Sequence, residues 1–311
     1  MTKKKTTDAE KLWDEILKAI VERMPKQILP LIKDVFGITY PDDVKITLLP
    51  TETTLPQDKD FRKLTSIYSD IALKINSDIY HLECQIKNDS DMSIRMIKYD
   101  FHLGLSARSS RDLDDNTIVF PKSVVIYPSP EENIPDELVC HLLFPDGTCH
   151  DYTVPTVKVQ KYSLEEIRQK HLTLFLPYRL LQFRPRLKSK TNPVTEDELT
   201  DFTNGIILIL KEELDSGRLT QLEYEDYIEL IDKSAKRVFY RHKALEEQVI
   251  SMTKSMITLP SERYEIYERQ LAEKDAEILK LSNEKDAEIA NNLKEIAELK
   301  RQLEEALGKN K

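Results

Sequence analysis

The spacing of apolar residues predicts helices at the beginning of the chain, a strand-rich middle and a helical end. Within residues 8–36 apolar side chains recur at helical spacing, and Pro25 and Pro30 interrupt the pattern near its end. The recurring positions are Leu12, Trp13, Ile16, Leu17, Ile20 and Val21. We therefore expect one or two amphipathic helices before the first strand.

Six later segments are typical of β-strands, because they alternate apolar and polar residues or are rich in β-branched ones. They are 44–49, 67–75, 79–87, 119–127, 138–144 and 148–154. Short polar turns, Asn76-Ser77-Asp78 and Pro145-Asp146-Gly147, predict two hairpins. Residues 92–107 have helical spacing. This order predicts an α+β fold with a mixed central sheet flanked by helices.

The second half of the chain is predicted to be mainly helical. Ser163 and Glu166 form a capping-box pattern at the start of a short helix, and longer helices are expected at 195–214 and 220–242. Residues 261–307 carry an apolar stripe with one eleven-residue step, which is typical of a coiled coil with a stutter. We expect three regions, an α+β domain at 1–190, a helical region at 191–250 and a C-terminal coiled coil at 261–308.

Charge and composition limit the classes of function. The net charge of -9 argues against a uniformly basic DNA coat protein, but the stretch 156–190 has nine Lys and Arg against two Glu. This stretch suits either a phosphate-contacting edge or a solvated linker, and charge clusters more often mean the linker. Only 6 glycines occur, and no glycine-rich nucleotide-binding motif is present.

The chain has three cysteines, and no apolar export segment follows Met1. These features predict a cytoplasmic protein with reduced thiols, and the absence of a long apolar run predicts no membrane span. Cys140-His141 and Cys149-His150 invite a zinc interpretation. Neighbours on a strand face opposite sides, so the four side chains cannot converge on one ion, and buried cysteines in a hairpin are favoured.

The candidate chemistry lies in the first hairpin. Asp70 falls on one strand, within one residue of register with Gln85 on the other, and Glu83 and Gln85 share a face. Two carboxylates brought together repel unless a cation lies between them, and Mg²⁺ prefers such oxygen ligands. For so short a pattern, the competing interpretation is a pair of solvated polar residues.

The order and spacing of several polar residues around this hairpin are more specific than any one of them alone. Asp70 is followed after twelve residues by Glu83-x-Gln85, and then by Arg95 and Tyr99 one helical turn apart. Residues 51–105 thereby resemble the PD-(D/E)XK nuclease superfamily, in particular its branch of recombination-promoting nucleases and putative transposases. The resemblance implies a restriction-endonuclease-like fold and hydrolysis of DNA.

Carried over to this chain, the resemblance implies that Asp70 and Glu83 bind Mg²⁺, or Mn²⁺ in its place. Gln85 stands where the wider superfamily has a lysine. An amide orients water but supplies no charge. Lys87, two residues further along the chain, is therefore expected to supply the positive charge in place of that lysine. Arg95 and Tyr99 would contact phosphate, although Arg95 could instead form a structural ion pair with Asp91 or Glu83.

Two rival interpretations remain open. One is a catalytically inactive DNA-binding protein that keeps the nuclease fold, which the missing lysine favours. The other is an assembly protein in which the coiled coil does the work. For the nuclease and for both rivals we expect the coiled coil to make a homo-oligomer, with pairing to a different protein as the alternative.

Overall fold

A computed structural model describes residues 8–50, 52–56, 64–68, 71–106, 116–130 and 133–254, together with four positions between 279 and 285. The chain divides into two compact units, Met1–Ile257 and Thr258–Lys311. Apart from those four positions, the predicted coiled coil at 261–308 lies outside the described residues, so the description below concerns the first unit.

A six-stranded mixed sheet is at the centre of this unit, in the order β1-β4-β5-β6-β8-β7. Its strands are β1 Ile46–Leu48, β4 Ile71–Ile75, β5 Asp78–Cys84, β6 Lys122–Tyr127, β7 Glu137–Leu143 and β8 Cys149–Lys158. β6 is parallel to both β5 and β8, whereas the other pairs are antiparallel. The short strands β2 (Glu52–Pro56) and β3 (Leu64–Tyr68) pair separately. The open mixed sheet confirms the predicted α+β class.

The described residues of the first unit form seven α-helices. They are α1 Asp8–Arg23, α2 Leu29–Phe36, α3 Met92–Ser106, α4 Leu164–Gln169, α5 Glu196–Asp215, α6 Gln221–Val238 and α7 Lys243–Lys254. The predicted capping box is confirmed, since Ser163 and Glu166 bond each other's backbone N–H at the start of α4. In the described part of the chain, no helix is long and apolar enough to cross a membrane.

The first hairpin has a tighter turn than its sequence predicts. Ile75 pairs with Asp78, so that only Asn76 and Ser77 form the loop, and Asn76 has a φ of 54°. Asparagine tolerates this left-handed conformation better than most residues do. The resulting register sets Ile71 opposite Leu82.

The main core lies on one face of the sheet and includes residues from both halves of the chain. Trp13 of α1, Leu82 of β5, Ile228 of α6 and Val249 of α7 belong to the same buried cluster. A smaller cluster on the other face joins α3 to β6 through Met96 and Val125. The main core therefore continues across residue 190, where the sequence predicts the end of the α+β domain.

The interpretation of 156–190 as a solvated linker is wrong. Thr173–Arg186 forms a run of 3-10 turns that contains Pro177 and Pro185 and lies in the core. Its buried apolar residues are Leu174, Phe175, Leu176, Tyr178, Leu180, Leu181 and Phe183. The prolines prevent a regular α-helix, so the segment lacks the amphipathic period by which a buried helix is recognised.

Candidate active site

The candidate site is one face of the central strand β5. His81, Glu83 and Gln85 follow one another at every second position, whereas Leu82, Cys84 and Ile86 belong to the main core. Side chains alternate between the faces of a strand, so the first three point away from that core. The predicted common face of Glu83 and Gln85, with an apolar face opposite, is therefore confirmed.

Asp70, the other predicted metal ligand, lies outside the described residues, directly before the first residue of β4. The described half of the predicted carboxylate pair is Glu83, whose side chain is 1% exposed.

Glu83 is in contact with α3 through Arg95. Arg95 donates from Nη2 to Oε1 of Glu83 at 2.7 Å, and Gln85 donates from Nε2 to the same oxygen at 3.2 Å. Arg95 also donates from Nε to the Tyr99 hydroxyl at 3.4 Å. The structure thus brings Glu83, Gln85, Arg95 and Tyr99 together, as their spacing predicts. The 2.7 Å ion pair with Glu83 is also one of the two structural ion pairs that the sequence analysis gives as the alternative role of Arg95.

A buried polar network extends from Glu83 into the protein. Asp100 of α3 is fully buried and accepts hydrogen bonds from Ser123 Oγ at 2.5 Å and from the Tyr152 hydroxyl. Nδ1 of His81 lies 2.6 Å from the other oxygen of Asp100. Burial of His81 lowers its pKa, but the hydrogen bond to Asp100 and the neighbouring carboxylate of Glu83 outweigh that effect and raise the pKa to about 9.

Sequence reasoning missed this network. His81 precedes Glu83 by two residues, so strand alternation was a usable signal for its place on the site face. Asp100 carried no such signal, because its partners Ser123 and Tyr152 are 23 and 52 residues away in the chain.

Glu83 and His81 are the described side chains of this face that could hold a divalent metal, the histidine only in its neutral form, because a protonated imidazole has no lone pair to donate. Nε2 of His81 is buried without a hydrogen-bond partner among the described residues, and it lies 3.8 Å from Oε2 of Glu83. A histidine whose other nitrogen bonds a carboxylate is a common arrangement beside metals. A carboxylate suits both Mg²⁺ and Mn²⁺, whereas imidazole is a more typical ligand of Zn²⁺, Fe²⁺ or Ni²⁺.

Lys87, the predicted substitute for the superfamily lysine, lies beyond the end of β5 and is exposed. It lines a pocket of about 620 Å³ together with Arg184 and Lys188 from the basic stretch.

Most other cations of the basic stretch are already paired. Lys158 bonds Asp136, Arg168 bonds Glu212, Lys170 bonds Asp34 and Arg186 bonds Glu198. Arg179 is buried, which lowers its pKa to about 10, and it donates to Gln160. The count of basic residues from 156 to 190 therefore overstates the charge available to a ligand.

The first cysteine and histidine pair follows the predicted alternation, since Cys140 is buried whereas His141 is exposed. The prediction of buried cysteines is wrong for Cys149, which is exposed together with His150. Ligand atoms of His141, Cys149 and Asp151 lie within 4.8 Å of one another on the exposed hairpin face. His141 Nδ1 is already 2.6 Å from the Asp151 carboxylate.

Comparison with known proteins adds no relative to this picture. No protein-family profile matches the chain, and neither a curated protein nor a solved structure matches it.

Proposed function

We propose that this chain is a metal-dependent DNA endonuclease that hydrolyses phosphodiester bonds, with a role in recombination or mobile elements. The observation that carries the proposal is the convergence of Glu83, Gln85, Arg95 and Tyr99 on one point of the sheet. These residue types, in this order, are the ones through which residues 51–105 resemble the PD-(D/E)XK superfamily. A cytoplasmic location would suit this function.

Asp70 is proposed as the second carboxylate of the site. Consecutive Cα atoms are about 3.8 Å apart, so residue 70 stays within one peptide of Ile71. Ile71 pairs with Leu82, the neighbour of Glu83. We propose on this basis that Asp70 and Glu83 share a cation.

The remaining residues have distinct proposed roles. A bound Mg²⁺ or Mn²⁺ would polarise the phosphate and lower the pKa of an attacking water. Gln85 would orient that water, and Lys87 would add positive charge beyond the end of β5. Arg95 would exchange its bond to Glu83 for a bidentate contact with phosphate, with Tyr99 beside it.

The decisive experiment is plasmid nicking with Mg²⁺ or Mn²⁺, compared with EDTA. Asp70→Asn and Glu83→Gln should each reduce nicking by more than about 100-fold. Mutation of residues that only hydrogen-bond to a metal ligand typically lowers metal affinity or activity 10–100-fold, and loss of a ligand itself should cost more. Glu165→Gln, an exposed carboxylate on α4, serves as the matched control and should cut normally. Full activity in the Asp70→Asn/Glu83→Gln double variant would refute the proposal.

The inactive DNA-binding alternative is supported by a specific observation. Glu83 is nearly fully buried and already neutralised by Arg95, as in a structural ion pair. Retained DNA binding, without cutting in either metal, would favour this alternative.

A further inference from the structure

A cationic pocket lies beyond the carboxyl end of β5, the strand that carries Glu83. It is the 620 Å³ pocket that Lys87 lines, and residues following β5 and β6 form one side of it, namely Ile86, Lys87, Ser129 and Pro130. β5 and β6 are parallel, so these residues mark the carboxyl ends of both strands. In open sheets ligands bind preferentially beyond this edge.

The charge of the pocket is one-sided. Its basic lining residues are Lys87, Arg184, Lys188, Arg237, Arg241 and His242. The described lining contains no carboxylate, and Glu131 and Glu132, which follow Pro130, lie outside the described residues. Several cations facing one concave space repel one another and raise the local concentration of anions.

Three of these cations have no ion pair among the described residues. They are Arg184, Lys188 and Arg237, in contrast to Arg168, Lys170 and Arg186 of the basic stretch. Arg184 and Lys188 are exposed and Arg237 is half-buried. An unpaired guanidinium in a concave site is well suited to bidentate contact with phosphate.

The pocket also has an exposed aromatic ring. Trp13, Leu181 and Val238 of the buried core lie beneath it, whereas Tyr240 is exposed and Arg241 lies over its ring at 4.9 Å from the centroid. Aromatic rings beside cations are the means by which proteins stack the bases of single strands while holding the backbone.

We propose that this pocket binds the phosphodiester backbone of the DNA strand that flanks the scissile bond. The proposal rests on the proposed function for the identity of the ligand. Lys87 is four residues from Glu83, so their Cα atoms are at most about 14 Å apart. This is the axial length of about four phosphates of one strand, at 3.4 Å each. The pocket would therefore hold phosphates a few nucleotides from the cut.

The test measures binding separately from cutting. Affinity for a fluorescein-labelled single strand of about 20 nucleotides is followed by anisotropy in EDTA, for the full chain and two variants. Arg184→Gln/Arg237→Gln removes two pocket cations. Arg168→Gln/Lys170→Gln removes the same charge from residues that pair with Glu212 and Asp34. Circular dichroism confirms that each variant is folded.

The pocket variant should bind about 25-fold more weakly at 0.1 M salt, and its log–log salt slope should fall by about 1.4. Both values follow from a contribution of about 0.7 per single-strand phosphate contact. The control variant should bind within twofold of the unchanged chain. Equal binding by the two variants would overturn the proposal, and so would binding to phosphatidylserine vesicles but not to the oligonucleotide.

Plasmid nicking by the same preparations separates this proposal from the nuclease itself. If the unchanged chain cuts and the pocket variant binds normally, the pocket proposal fails while the nuclease stands. If the pocket variant loses binding but no preparation cuts in either metal, the pocket stands and the nuclease fails.

Discussion

The buried carboxylate of Asp100 allows a sharp test of what holds the site face of β5 in place. Asp100→Asn keeps the shape of the side chain but removes its charge. His81 would then lose its anionic partner at 2.6 Å, and one amide N–H would face donors where an oxygen accepted before. Because the group is fully buried, water cannot compensate for this loss.

The magnitude follows from the burial of both partners. Removing one member of a buried charged pair costs about 3–5 kcal/mol, so the free energy of unfolding should fall by that amount. For a domain of this size the melting temperature should fall by about 6–20 °C. Tyr152→Phe removes a single hydrogen bond to the same carboxylate and should cost less, about 1.5–3 kcal/mol.

Urea unfolding followed by far-UV circular dichroism measures both changes. Asp136→Asn is the matched control, because that carboxylate pairs with Lys158 while its side chain is 91% exposed. It should leave the urea midpoint unchanged. A loss below about 1 kcal/mol for Asp100→Asn would show that the network does not anchor α3 to β5, and the reasoning would be refuted.

Two further predictions concern other parts of the chain. Burial raises the pKa of Asp232 above its ordinary value of 3.8, although a hydrogen bond from Thr253 opposes the shift, so the ionised form destabilises the fold. The stability that this group contributes is full below pH 3.8 and is lost as the pH rises. Asp232→Asn should therefore raise the urea midpoint at pH 7 but not at pH 3, and an equal rise at both would exclude this cause. Finally, light scattering should show an oligomer for the full chain and a monomer for a chain ending at Pro260. The reason is that burying each large aliphatic side chain of the apolar stripe in residues 261–307 is worth about 1.5–3 kcal/mol. A full-length monomer at micromolar concentration would defeat self-association.

Local sequence patterns predicted the strands and the faces of their side chains better than they predicted which distant residues contact them. Alternation placed Glu83 and Gln85 on one face of β5, and helical spacing placed Arg95 above Tyr99. Such patterns report only on neighbours a few residues apart. They allowed a three-residue turn where the left-handed conformation of Asn76 closes the hairpin in two.

Long-range contacts account for what was missed. Asp100 follows Tyr99 on an amphipathic helix, and nothing nearby in the chain indicates that Tyr152 and Ser123 enclose it. Arg237 lies in the last turn of α6, where a basic residue is already explained by the helix dipole. Its position in a pocket beside Arg184 depends on how α6 packs against the 3-10 segment, which a single sequence does not display.

The position of β5 within the sheet determines how the candidate site responds to fluctuations. β4 and β6 bond it along both edges, and the main core covers its other face. Peripheral helices can fray without disturbing such a strand, whereas its own amides become accessible only when the whole unit opens. The backbone under Glu83 should accordingly belong to the most slowly exchanging part of the protein. Any adjustment during DNA binding then falls to side chains such as Arg95 and to the loops beyond the strand ends.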